Sequence, residues 1–299
     1  MTEVPDPAVS RRRLRLELRR ARDEAKRTQA DVASAMDWSP SKLIRIERGD
    51  VGISSNDLKA LLSYYGVEDK ERVDELVELA RSARGSSYYD QFADLLKPGF
   101  TEYLAYEGSA SIIRQYDPVL VPGLLQTEEY ARALFVDEGD FDSEMADRLW
   151  KLREHRQRVH DKDDPPKMEF VLDEGALRRH IGGRHVMRRQ LERLREFAEE
   201  PHIRMQILPF SHGAHPGLFG NFILLEFDDP DLDDLVHLEF INSITIQDDI
   251  DLISRYVDRF HKLQKLALSP NESINFLDAL IREMSSNDQL QSPTSKEAH

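Results

Sequence analysis

The sequence predicts a mainly α protein with an α+β second domain, on three observations. Its 299 residues suit two domains of ~100 to 200 residues each. Apolar residues recur at helical spacing across most of 11–84, and runs rich in Val, Ile and Phe that read as strands occur only after Tyr88. A five-helix first domain followed by helices around a small antiparallel sheet is therefore expected.

Charge divides the chain in the same place. Residues 10–48 hold 12 Lys and Arg against 6 Asp and Glu, which leaves 29 and 50 for the remainder of a chain of net charge −15. A local basic end on an acidic body fits a discrete DNA-binding domain joined to a sensing or partner domain, and argues against a surface coated in nucleic acid. The absence of cysteine excludes disulfides, thiolate metal sites and cysteine nucleophiles. No apolar run approaches the ~18 residues of a membrane span, and MTEVPDPAVS lacks a signal peptide's hydrophobic core. A cytoplasmic protein with no membrane partner is expected.

In order, residues 1–9 read as a disordered lead. A helix over 11–26 turns Leu14 and Leu18 inward and keeps Arg11, Arg12, Arg15 and Arg19 largely outside that face, as a solvated surface or as phosphate contacts. The stretch 28–49 reads as two short helices across a tight turn. Thr28 caps the first, Asp31 favours its dipole, and Val32, Ala33 and Met36 make its apolar face. Asp37 tolerates the left-handed conformation that such a turn often needs. Ser39 caps the second helix, Pro40 fits its first position and Gly49 ends it.

Leu43 and Ile46 face inward on that second helix, and Ser39, Ser41, Lys42 and Arg45 fall on the other side. Those are DNA-reading residue types, because arginine bonds guanine O6 and N7 together and serine bonds several base edges, whereas Lys42 suits a phosphate. The candidate DNA-binding residues on this helix are Ser39, Ser41, Lys42, Arg45 and Arg48.

A helix with Leu58, Leu61, Leu62 and Tyr65 buried and a fifth over 69–84 complete a helix-turn-helix domain over 10–84, with Gly85-Ser86-Ser87 as a flexible linker. The regulatory domain, over 88–284, is expected to hold helices at 102–115, 142–160, 185–199 and 251–268, with a shorter one capped by Thr127 and another starting at Pro270. Strands are expected at 168–173, 203–208, 221–227 and 235–240, the short links suggesting antiparallel neighbours, and a disordered tail at 285–299. The row Arg148, Lys151, Arg153, Arg156, Arg158 reads as a solvated face, as partners for nearby carboxylates or as a second nucleic-acid surface.

His212 and His215, with Glu239 or Asp228, are the one weak hint of a metal site, and a polar loop whose histidines bond backbone or water is the favoured account of them. Neither a phosphate-cradling glycine loop nor a nucleophile elbow is present. Asp228-Asp229 and Asp233-Asp234 read as solubilising loop residues. No cofactor, metal or enzymatic activity is expected.

Residues 14–66 resemble the XRE (Cro/C1-type) helix-turn-helix domain through LRRAR, TQADVA and SPSKLIRIERG. The resemblance implies that Gln29 bonds backbone phosphate, that Ser39, Pro40, Ser41 and Arg45 lie nearest the bases, and that Arg22 and Glu47 form an internal salt bridge. Two positions depart from the pattern. Ile44 stands where a polar residue is usual, and Asp50, Val51 and Gly52 bring no positive charge where a phosphate-binding loop often follows.

The segments VPGLLQTEEYARALF, ILPFSHGAHPGLFGNFILLEF and LALSPNESINFL are similar to the C-terminal domain of WhiJ-like regulators of actinobacteria, over roughly 104–280. That resemblance implies a transcriptional regulator, often encoded beside a small partner protein and sometimes described as antitoxin-like. A homodimer on a palindromic operator is the leading expectation, and neutralisation of a small partner protein encoded by an adjacent gene is its rival.

Overall fold

In a computed structural model the described residues are 5–138, 142–240 and 243–290. The expected lead over 1–4 and tail over 291–299 lie outside them. The chain forms two compact units. One comprises the chain up to Ala93 together with Gly99–Ala110 and Phe227–Asp233, and the other holds the remainder.

The first unit contains α1 (Pro7–Glu24), α2 (Gln29–Ala35), α3 (Pro40–Arg48), α4 (Ser55–Tyr65), α5 (Lys70–Ser82) and α6 (Phe100–Glu107). Helix α1 starts inside the expected lead because Asp6 accepts the Ala8 N–H at 2.8 Å and Pro7 occupies the first turn. Leu14, Leu18, Val32, Leu43, Ile46 and Leu58 meet in one core. Burying each such side chain contributes ~1.5 to 3 kcal/mol. Residues 85–87 are held in place rather than free. Ser87 Oγ donates to Asp6 Oδ2 at 2.7 Å, its N–H donates to Asp90 Oδ2 at 2.9 Å, and a Cβ on Gly85 would stand 2.9 Å from Pro7 Cγ.

The second unit is built on a six-stranded mixed sheet. Its elements are β1 (Ile112–Asp117), α7 (Glu128–Glu138), α8 (Ser143–Gln157), β2 (Lys167–Asp173), α9 (Glu174–Arg178), α10 (Gly183–Phe197), β3 (Ile203–Leu208), β4 (Phe222–Glu226), β5 (Leu235–Glu239), β6 (Ile244–Gln247), α11 (Ile250–Leu266) and α12 (Pro270–Leu290). The strand order is β3-β2-β1-β4-β5-β6. The α+β character is as expected, but the purely antiparallel sheet is not found. β1, β2 and β3 run parallel because α7–α8 and α9–α10 carry the chain back between them, whereas β4 pairs antiparallel with β1, β5 with β4 and β6 with β5. β3 and β4 are close in sequence, yet β2 and β1 lie between them.

The helix expected over 102–115 is a helix followed by a strand. α6 stops at Glu107, where Gly108 and Ser109 close its last turn. β1 then takes a central place with Arg114 ion-paired to Glu169 on β2 at 2.9 Å and to Glu226 on β4. Phe222 and Leu224 point to one sheet face, where Phe260 and Leu263 of α11 pack on them. α12 extends past 285 to Leu290, since neither glycine nor proline interrupts 271–290.

Candidate nucleic-acid interface

The α2–turn–α3 pair is fixed by local chemistry. Thr28 Oγ1 accepts the Asp31 N–H at 3.2 Å while Asp31 accepts the Thr28 N–H at 3.0 Å, a reciprocal capping box. The turn places Asp37 at φ +53°, a conformation that Asp tolerates better than most residues. Ser39 Oγ accepts the Lys42 N–H at 3.3 Å and lies 3.0 Å from Ser41 Oγ. Gly49, at φ +81°, closes α3 with its N–H on the Ile46 carbonyl, and the Asp50 N–H returns to the Arg45 carbonyl at 2.9 Å.

Leu43 and Ile46 are buried, while Ser39, Pro40, Ser41, Arg45 and Arg48 are exposed. Arg45 and Arg48 have no carboxylate partner among the described residues. The outer side of α3 thus carries two available guanidinium groups behind a serine-rich amino-terminal turn, the donors that base edges and phosphates accept. Ile44 is only partly exposed.

Lys42 and Gln29 are engaged within the protein. Lys42 Nζ is 3.2 Å from Asp57 Oδ2 and 4.0 Å from the centre of the Trp38 ring. Gln29 Nε2 donates to Glu47 Oε2 at 2.7 Å. The other oxygen of Glu47, a residue only 2% exposed, accepts Arg22 Nε at 2.6 Å. Arg22 also donates to the Arg27 carbonyl at 3.1 Å, so the pair ties α1, the start of α2 and the end of α3 together. Burial alone would lower Arg22, and its hydrogen bond to Glu47 together with the charges of Glu47 and Asp23 more than offsets this, holding it above its ordinary value. Burial and the Glu47 charge push the Tyr65 hydroxyl up as well.

The α1 arginines divide. Arg12, expected outside the buried face, is 1% exposed. Its guanidinium donates to the Asp233 carbonyl at 2.6 Å and stands 5.6 Å and 5.5 Å from the ring centres of Tyr106 and Phe227. Arg13 pairs with Asp231 at 2.7 Å, and Arg20 pairs with Asp233 at 3.2 Å. Burial alone would raise the Asp231 carboxyl, but Arg13 and Arg72 hold it below the usual carboxylate range. The acidic 228–233 segment therefore braces α1 instead of solubilising a loop. Nothing local signals this, because the partners are more than 200 positions apart in sequence.

Several of the other candidates make contacts within the second unit. Arg148 pairs with Asp94 at 2.8 Å, Arg153 donates to the Gln126 side chain and Arg156 is buried, so carboxylates and amides take much of that row. His215 Nδ1 accepts the Gly217 N–H at 3.2 Å, and its Nε2 lies 3.5 Å from Asp173. His212 is exposed. Glu239 pairs with Lys97 at 2.7 Å. Among the described residues no three His, Cys, Asp or Glu side chains converge to hold a metal ion, and no helix is long and apolar enough to cross a membrane.

Two family models match the sequence. One, a helix-turn-helix domain, matches residues 13–76, so the amino-terminal unit carries a fold of DNA-binding regulators. The other, described as a domain of unknown function (DUF5753), matches residues 100–279. No curated protein and no solved structure matches the chain significantly.

Proposed function

We propose that this chain, which belongs to the DUF5753 family because that model spans well over half of it, is a sequence-specific transcriptional regulator that binds DNA through α3. The exposed Ser39, Ser41, Arg45 and Arg48 on a helix whose inner face is locked into the core carry this reading. One such helix offers too few base contacts for strong specificity, so the working form is a homodimer on a palindromic operator with half-sites a helical turn apart. Residues 88–284 control occupancy through a partner protein or a ligand. The WhiJ-like resemblance supports that assignment.

A second reading makes neutralisation of a small cognate protein the main task, as in antitoxin-like relatives. It is favoured by the exposed large apolar side chains after β3, Phe210, Leu218 and Phe219, the last at 88%. Exposed large apolar groups that form a contiguous patch mark protein-binding surfaces. Footprinting on the DNA upstream of its own gene, with and without the small protein encoded alongside, tests both readings. A two-fold protected site whose occupancy changes with the partner is expected. Protection no better than on random DNA, together with tight partner binding, refutes the regulator and leaves the second reading.

A further inference from the structure

The first unit contains a cavity of about 230 Å³ that the DNA-binding reading does not use. It opens where the middle of α1 meets the ends of α3 and α5 and the loop after α3. Leu14, Leu18, Ile46, Ile53, Ala80 and Ala83 supply apolar walls, and among the described residues Arg11, Arg15 and Arg84 bring the charge to its lining. Among the described residues no carboxylate lines it, in a chain whose net charge is −15.

Each arginine laces two walls through a backbone carbonyl. Arg11 donates to Ala83 at 3.1 Å, Arg15 to Arg48 at 3.2 Å and Arg84 to Ile53 at 2.8 Å. Two of these carbonyls end helices, so the guanidiniums also favour the helix dipoles. Yet a guanidinium carries five N–H donors, and the one carbonyl accepting from Arg11 or from Arg84 is neutral. Neither residue pairs with a carboxylate among the described residues. The site is apolar inside with uncompensated positive charge at its edge.

We propose that this cavity binds a small amphiphilic carboxylate, its apolar body against the leucine and isoleucine walls and its carboxylate on Arg11 and Arg84. Scaled from the benzene that fills a ~150 Å³ apolar cavity, the space takes roughly nine non-hydrogen atoms. A six-carbon chain on a carboxylate, or an aromatic ring bearing one, has that size. The site lies wholly within the first unit, so the inference does not depend on the identity of the operator or on a protein partner.

Heptanoate is the probe, and heptan-1-ol, with nearly the same body and no charge, is the control. Titration of the full chain, followed by calorimetry and by the methyl resonances of Ala80, Ala83, Val51 and Ile53, is expected to show saturable one-site binding of heptanoate that moves those methyls. Heptan-1-ol is expected to bind at least about tenfold more weakly, the loss of one charge-assisted hydrogen bond. The double variant Arg11→Gln with Arg84→Gln removes only exposed or half-exposed guanidiniums and is expected to cut heptanoate affinity by about tenfold or more, with heptan-1-ol unaffected. Equal, unsaturable uptake of both probes, or shifts confined to methyls elsewhere, overturns the proposal even if the variant does not fold. So does a double variant that keeps heptanoate affinity. Absence of heptanoate binding combined with a variant whose affinity for random duplex DNA falls, its salt slope shallower by about 2, assigns the arginines to phosphate and overturns it too.

Discussion

At the scale of single residues, buried charge decides what can be changed. Glu47 is nearly inaccessible while Arg22 retains some contact with water, so the two halves of the pair are not equivalent. Arg22→Ala strands a buried carboxylate and should cost ~3 to 5 kcal/mol in denaturant unfolding. Glu47→Ala leaves a cation that still reaches Asp23 and the Arg27 carbonyl, and should cost clearly less. Equal losses would mean that Glu47 is solvated in solution. Asp117, at the end of β1, accepts the Val119 and Leu120 N–H groups, yet burial dominates and pushes it up to about 6. With a folded value above the unfolded one, Asp117 favours the fold at low pH, and this contribution is lost as pH rises through about 6. Asp117→Asn keeps an acceptor for both amides. It should be neutral at pH 4 and raise stability at pH 8 by roughly 2 to 3 kcal/mol, read from denaturation curves at both pH values.

At the scale of elements, legibility followed the range of the forces. α2 and α3 were readable because their boundaries are set by neighbours in sequence: the Thr28 box, the left-handed Asp37, the Ser39 cap and Gly49. β1 was not, because IIRQYD becomes a strand only when β2 and β4 flank it and two glutamates meet Arg114. The four-residue β6 is likewise defined by its pairing with β5. On α3 the residue types were legible and their engagements were not. Arg45→Ala should weaken binding to the specific operator by ~1 to 3 kcal/mol and leave random DNA nearly unchanged. Lys42 must leave Asp57 to reach a phosphate. Asp57→Asn should therefore strengthen binding to specific and random duplexes alike, by a few tenths to ~1 kcal/mol, in salt titrations of both. A variant unchanged on both DNAs would place Lys42 outside the interface.

At the scale of the molecule, the amino-terminal unit is assembled from three stretches of chain, and a reading of local pattern sees only the first. α6 and residues 227–233 cover a face of α1 that periodicity assigned to solvent, which is why Arg12 is buried. A fragment of residues 1–93 keeps all five helices of the helix-turn-helix domain but uncovers that face. It should melt at lower temperature than the same unit in the full chain and bind a hydrophobic dye, whereas an identical melting temperature would show the cover to be dispensable. The arrangement also bears on synthesis. Translation proceeds at ~5 to 20 residues per second, and 140 residues separate Ala93 from Asp233. The helix-turn-helix helices accordingly leave the ribosome roughly 7 to 28 s before the last piece of their unit follows. During that interval the arginine face of α1 is open to nascent-chain chaperones and polyanions, and the final stability of the domain is reached only as the acidic segment emerges.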